Sequence, residues 1–253
     1  MNLRLRLLLL FLVAAFVPLG AFGYVVQSGL VEQLEEDHLR QLETRASSAR
    51  RRIDEMRAAD RRAVDALCEH DLVIDRVLLD LATDRFDPAA EQNLVALLPP
   101  MMRGRRFDTL HLVDARSGAD RGRVLGAGHH PEQVGMRAPE LLDALTRAQG
   151  RSFVQNVRVV DPSGTHDERT WLAGCMVQRD GAAIAVLGGR FLRDDLAQTL
   201  LGDVSPVSLA LDAAPLEDAG VETIATFDDA GGDPVVALVA TIDDAPLRAE
   251  VDA

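Results

Sequence analysis

The sequence predicts an α+β domain carried behind an apolar N-terminal helix. Three observations predict it. Residues Leu7–Val26 hold no charge, and from Gln27 to about Cys68 small and apolar residues recur in steps of three and four. After Gly104 the period changes to two, with glycine- and proline-marked turns between short runs. Long helix, short helices and then a strand-rich half is the order of an α+β chain.

The twenty residues Leu7–Val26 are enough to cross a hydrocarbon core about 30 Å thick. Arg4 and Arg6 precede them and no basic residue follows until Arg40, so the N-terminus is expected inside and the remainder outside. Pro18, Gly20 and Gly23 are tolerated in a membrane span. A cleaved signal peptide is the competing reading, with Ala21-Phe22-Gly23 as its small-residue site. The length of the apolar block, and the helical pattern that follows without a loop, favour an anchor.

That pattern places Leu39, Leu42, Ala46, Ala49, Ile53, Met56, Asp60, Ala63 and Leu67 on one stripe. Arg50-Arg51-Arg52 and Arg61-Arg62 lie among acids four residues away, as on a solvated, ion-paired face. Forty helical residues reach about 60 Å, the length of a stalk. The small residues suit either packing on the chain's own domain or a second stalk, although Asp60 interrupts the seam. Two shorter helices are expected over Asp71–Leu81 and Pro88–Leu98, the latter stopped by Pro99-Pro100.

Strands are expected over Phe107–Val113, Arg123–Ala127, Ser152–Val160, Thr170–Gln178, Ala182–Phe191 and Val207–Leu211, with a final hairpin of Val221–Phe227 and Pro234–Ile242. Helices are expected over Pro139–Gln149 and Arg193–Leu201. Gly188-Gly189 inside a strand suggests a bulge or a close backbone approach.

Composition narrows the partners. A net charge of −13 argues against nucleic acid, which wants a basic face. Residues 203–253 hold twelve acids and one base, Arg248, which reads as a soluble surface in preference to a cation site. Aromatics make up 4% of the chain, so the core must be aliphatic. Cys68 and Cys175 can pair in an exported domain. Two separate buried thiols are the favoured reading, because geometry decides and spacing does not show it.

Sites are harder to read. His129-His130 invites a metal reading with His111, Asp114 or His166, yet adjacent loop histidines diverge and no ligand spacing accompanies them. No metal or cofactor is expected, and His129 is read as a turn or pocket-rim residue. His111, between Leu110 and Leu112, faces the other side of its strand, as a pocket wall or, as favoured, a wet face. Trp171 is a core or pocket-wall aromatic. Arg158 and Arg190, expected on neighbouring strands, are placed to hold a carboxylate. No serine stands in a Gly-x-Ser-x-Gly elbow, and no catalytic residue is assigned.

On these residues the chain resembles the extracytoplasmic sensor region, PAS-like or Cache-type, of bacterial membrane histidine kinases and chemoreceptors. The resemblance rests on the anchor, the long helix behind it, and LHLVDARSGADRGRVLGAGHHPEQVG at 110–135, where Asp114, Gly118, Gly128, His130, Pro131 and Gly135 match the outline. PVVALVATIDDAPLR at 234–248 resembles the last sensor strand and the start of a helix returning to the membrane.

The resemblance implies an inner-membrane, single-pass chain whose domain lies in the periplasm. It implies a transmembrane anchor at 1–27, a stalk helix at 28–70, an antiparallel sheet with flanking helices at 71–242 and a returning helix from 243. An unidentified small-molecule ligand and a possible homodimer through the stalk are implied too. No HAMP-like coil, phospho-accepting histidine helix or ATP lid appears in the 253 residues, so no kinase activity is expected of them. The alternatives are an anchored envelope interaction or scaffold protein, or a secreted domain after signal-peptide cleavage.

Overall fold

The computed structural model describes residues 22, 40, 43, 44, 46–161, 164–193, 195, 196, 199, 207–212 and 221–242. Two compact units divide the chain, Met1–Ala46 and Ser47–Ala253. In the first, the described residues are helical, and Thr44 Oγ1 donates to the carbonyl of Arg40 at 2.8 Å. The expected span Leu7–Val26 lies outside the described residues except for Phe22, as does the expected tail from 243. Among the described residues no helix is long and apolar enough to cross a membrane.

The second unit opens with helix α1, helical at every residue from 47 to 70. Of its stripe, Ala49, Ile53, Asp60 and Leu67 are buried, so these small and apolar residues pack on the chain's own domain. Helix α2 (Leu72–Ala82) starts where the Asp71 carboxylate accepts from the amide of Val73 at 2.9 Å. Helix α3 (Pro88–Gly104) starts likewise, with Asp87 accepting from Ala90 and Pro88 in its first turn.

Pro99-Pro100 does not stop α3, contrary to the sequence expectation. The two prolines deprive the carbonyls of Val95 and Ala96 of helical donors, at about 3 kcal/mol for an interior proline. Ala96 is exposed. Leu94 and Leu98 are buried against the sheet, and Met101 and Met102 extend that packing beyond the prolines. Apolar burial therefore holds the helix through its own breakers.

The first sheet contains β1 (Thr109–Asp114), β2 (Val124–Ala127), β3 (Phe153–Asp161), β4 (Gly164–Arg179) and β5 (Ala182–Phe191). Its order is β2-β1-β5-β4-β3 and every pairing is antiparallel. β4 and β5 meet through Asp180-Gly181, with φ of 49° and 84°, the positive angles that a two-residue hairpin turn requires. β4 begins six residues earlier than expected. The polar run Gly164–Arg169 pairs fully with β3, because backbone pairing does not need apolar side chains.

Leu110, Leu112, Ile184 and Val186 face α1, α2 and α3 in one aliphatic cluster. Val113, Phe153, Leu172, Ala185 and Leu187 face the other way, toward helix α4 (Pro139–Ala148). Gly188 and Gly189 form no bulge. A side chain on Gly188 would strike the Phe107 ring, and one on Gly189 would strike the Trp171 carbonyl at 2.1 Å. They are there for close approach.

A second antiparallel sheet orders β6 (Val207–Asp212), β8 (Pro234–Ile242) and β7 (Val221–Asp228) as β6-β8-β7. The expected helix at Arg193–Leu201 falls largely outside the described residues. Ala230 joins the α4 cluster, and Val154 of β3 bridges Asp229, so the two sheets meet at the end of β7.

Helix α1 lies along both sheets, held by arginines. Arg50 donates to the carbonyls of Thr223 and Ile224 at 3.1 and 2.9 Å, at a register shift in β7. Arg57 donates to Thr226 and sits 4.8 Å from the centre of the Phe227 ring. Nearer its C-terminus, Arg61 donates to Gly174 on β4 at 3.3 Å. Where separate thiols were favoured, Cys68 and Cys175 are joined in a disulfide with Cα atoms 6.6 Å apart, tying the end of α1 to β4.

Candidate functional site

Alternation along β1 sets the site. With Leu110 and Leu112 committed to the helix-covered face, Thr109, His111 and Val113 must face the other side. Leu141, Leu142, Leu145 and Ala148 of α4 cover that face over Val113 and Phe153. Ahead of α4 the chain runs through a 3-10 turn, Pro131–Gln133, and Gly135 at φ +84°. Between that turn, the start of α4 and β3 a cavity of about 330 Å³ remains.

Its floor is His111, Gln133, Val124, Leu141 and Val157. Its rim carries both signs of charge: Arg137, Arg158, Glu140 and Asp167, with Gln155 and Asn156 between them. Arg158 and Asp167 approach only to 3.9 Å and both are well exposed, so neither is committed to the other. The arrangement, apolar and neutral below with separate cations and anions above, suits a small polar solute.

The two polar side chains of the floor, His111 and Gln133, are bonded to neighbours. His111 is buried, with Nε2 3.1 Å from Gln133 Oε1 and Nδ1 3.2 Å from Thr109 Oγ1. The Gln133 amide donates to the carbonyl of Arg158. Thr109 Oγ1 also lies 2.9 Å from His129 Nδ1, and the His111 and His129 rings meet edge to face at 4.6 Å. Burial pushes His111 down to about 4, against the Gln133 hydrogen bond that raises it and with His130 adding to the fall. Burial, with His111 and His130 beside it, pushes His129 down to about 3, while the Arg158 carbonyl works the other way. Both rings are neutral at pH 7.

The expected site residues separate accordingly. His111 and Arg158 line the cavity, and His129 stands behind His111. The wet face favoured for His111 is corrected: α4 and the turn before it cover that side of the sheet, leaving His111 1% exposed. Trp171 and Arg190 point to α1 on the opposite face. Trp171 packs on Phe227, and Arg190 forks onto the buried Asp60 at 2.7 and 2.8 Å. Arg158 and Arg190 are not on neighbouring strands, because β4 lies between β3 and β5, so they cannot clamp one carboxylate.

Gln133, Arg137, Glu140, Gln155, Asn156 and Asp167 were missed. They sit in a turn, at a helix start and on strand faces, where nothing in the spacing marks them. A larger cleft of about 700 Å³ lies between α2 and α3. Its buried carboxylate, Asp80, is already paired with Arg76 at 2.9 Å. Among the described residues no group of three or more histidine, cysteine or acidic side chains is placed to hold a metal ion.

Fold and cavity together define an α+β domain with a pocket of small-molecule size on one face of its sheet. Solved structures to which it is similar include a periplasmic domain, a sensor domain and a ligand-binding domain. The periplasmic domain of Vibrio cholerae LuxQ matches at 12% identity over 79% of this chain and 98% of that one, with a TM-score of 0.49. The sensor domain of the V. cholerae histidine kinase DctB matches at 11% over 72% and 64%, with a TM-score of 0.45. The ligand-binding domain of the Campylobacter jejuni chemoreceptor Tlp3, in complex with L-valine, matches at 16% over 71% and 68%, with a TM-score of 0.38. No family model matches the chain, and no curated relative does.

Proposed function

We propose that this chain is the extracytoplasmic sensor module of a bacterial receptor, anchored by Leu7–Val26, that binds a small polar solute and relays the event through its long helix. The observation that carries the reading is the cavity beside α4, with its neutral floor and its rim of separate cations and anions. A solute carrying both an acidic and a basic group can meet Arg137 or Arg158 with one and Glu140 or Asp167 with the other. The relay would run through α1, which is held to β7 by Arg50 and Arg57 and to β4 by Arg61 and the disulfide. Movement between the sheets is therefore movement of the helix, and only a solute that prefers one arrangement can drive it. The domain limits, 28–70 for the stalk and 71–242 for the sensor, belong to the same proposal, as do the inner-membrane placement and pairing of two stalks.

A thermal-shift screen of the full chain against amino acids and carboxylates tests it. A solute at a hundred times its Kd stabilises by about 2.7 kcal/mol. The expected result is a rise in Tm for one class of solute, lost in Arg158→Ala and Gln155→Ala. No stabilisation by any solute, or stabilisation that survives both substitutions, overturns the assignment of the cavity.

A further inference from the structure

From the Arg158 carbonyl onward, one direction can be followed through the hydrogen bonds behind the cavity floor. The carbonyl of Arg158 can only accept, so the Gln133 atom facing it is the amide nitrogen and the atom facing His111 is Oε1. His111 must then carry its hydrogen on Nε2. As a neutral ring it has a bare Nδ1, which accepts from the Thr109 hydroxyl. The Thr109 oxygen, having donated its hydrogen, accepts from His129, whose hydrogen is therefore on Nδ1. His129 Nε2 is left as a bare lone pair. It is a buried side-chain atom with no hydrogen-bond partner, as this direction requires.

We propose that Thr109 and His129 form a proton relay into the cavity floor, taking a proton at His129 Nε2 and delivering its charge to His111. The balance is simple. One proton binds His129 Nε2, the His129 Nδ1 proton passes to Thr109 Oγ1, and the Thr109 hydroxyl proton passes to His111 Nδ1. His129 ends neutral with its hydrogen on Nε2, and His111 ends as an imidazolium. Charge rests on His111 because Gln133 Oε1 accepts from its Nε2 and favours the charged ring.

The groups facing His111 fix the use of this charge. His129 and His130 from the loop after β2 oppose it. Arg137 from the segment before α4 and Arg158 from β3 are further cations around the cavity, while Glu140 from α4 and Asp167 from β4 are anions on the rim. An anionic group seated on the floor would therefore draw the proton in, and a cationic one would expel it. This regulatory use rests on the solute-binding reading of the cavity, whereas the relay can be read without any solute.

The test is nitrogen NMR of the full chain in detergent micelles with labelled histidine, titrated from pH 7.5 to pH 4. At pH 7.5 the relay requires hydrogen on His111 Nε2 and on His129 Nδ1. As His111 becomes charged, His129 must change its hydrogen from Nδ1 to Nε2 while staying neutral. Thr109→Val should abolish that coupled change, and Thr109→Ser, which keeps the hydroxyl, should retain it. The opposite tautomers at pH 7.5 overturn the proposal. So does a His129 that keeps its Nδ1 hydrogen throughout the wild-type titration, or a coupled change that survives in a folded Thr109→Val. Loss of solute-induced thermal shifts with the coupled tautomers intact would instead sink the binding reading and leave the relay standing.

Discussion

Replacing Asp60 by alanine removes the carboxylate on which Arg190 closes, midway along α1. The Asp60 side chain is 2% exposed and that of Arg190 21%, and the two meet through two hydrogen bonds of 2.7 and 2.8 Å. Breaking a buried pair by removing one partner costs about 3–5 kcal/mol. Arg190 keeps some access to water, which puts the expected loss at the lower end, about 3 kcal/mol. In a domain of this size each kcal/mol moves Tm by about 2–4 °C, so a fall of about 6–12 °C is expected. Arg190→Met should be worse, because the carboxylate it strands is the more deeply buried partner. Joining the two changes as Asp60→Leu with Arg190→Met should recover stability, since no charge is then stranded. The assay is urea unfolding of the wild type, Asp60→Leu, Arg190→Met and the pair as a double-mutant cycle, with Asp60→Ala measured beside them. A loss under 1 kcal/mol for Asp60→Ala, or a double variant that merely sums the singles, refutes the argument that this pair seats α1 on the sheet.

Three further outcomes follow from the same structure. Changing Cys68 and Cys175 to serine opens a tie across 107 residues, for which the chain-entropy account gives about 4–5 kcal/mol. The serine variant should therefore melt well below the wild type, with a Tm that reductant no longer changes. Gly189→Ala would put a methyl group 2.1 Å from the Trp171 carbonyl oxygen in a backbone that cannot yield cheaply, so the soluble yield of this variant should collapse. The histidines give a pH dependence whose sign is fixed. His111 titrates near 4 when folded and His129 near 3, both below the 6.5 of a free imidazole, so the unfolded chain binds more protons in the interval. Their stabilisation is whole above pH 6.5 and is lost as the pH falls toward 4, with a slope of up to about 1.4 kcal/mol per unit for each ring. His111→Gln should flatten the Tm profile between pH 6.5 and 4, and an unchanged slope would show that the ring is not buried neutral.

Local sequence determined the elements. Asp71 and Asp87 before apolar runs start α2 and α3, Asp180-Gly181 turns β4 into β5, and the alternation at Leu110-His111-Leu112 puts the histidine across the sheet from its neighbours. These are effects of the nearest few residues, which is why they can be read without the fold. What covers each face of the sheet is not of that kind. Whether His111 meets water or a cavity depends on α4, some thirty residues further on. Whether Arg190 holds a ligand or Asp60 depends on α1, 130 residues earlier. Strand order separated Arg158 from Arg190, and the folding of α1 along both sheets brought Cys68 to Cys175 and turned Asp60 from a flaw in an apolar stripe into a buried anchor. Pairing and burial are decided by which surfaces meet in space, and that is a property of the whole chain packed on itself.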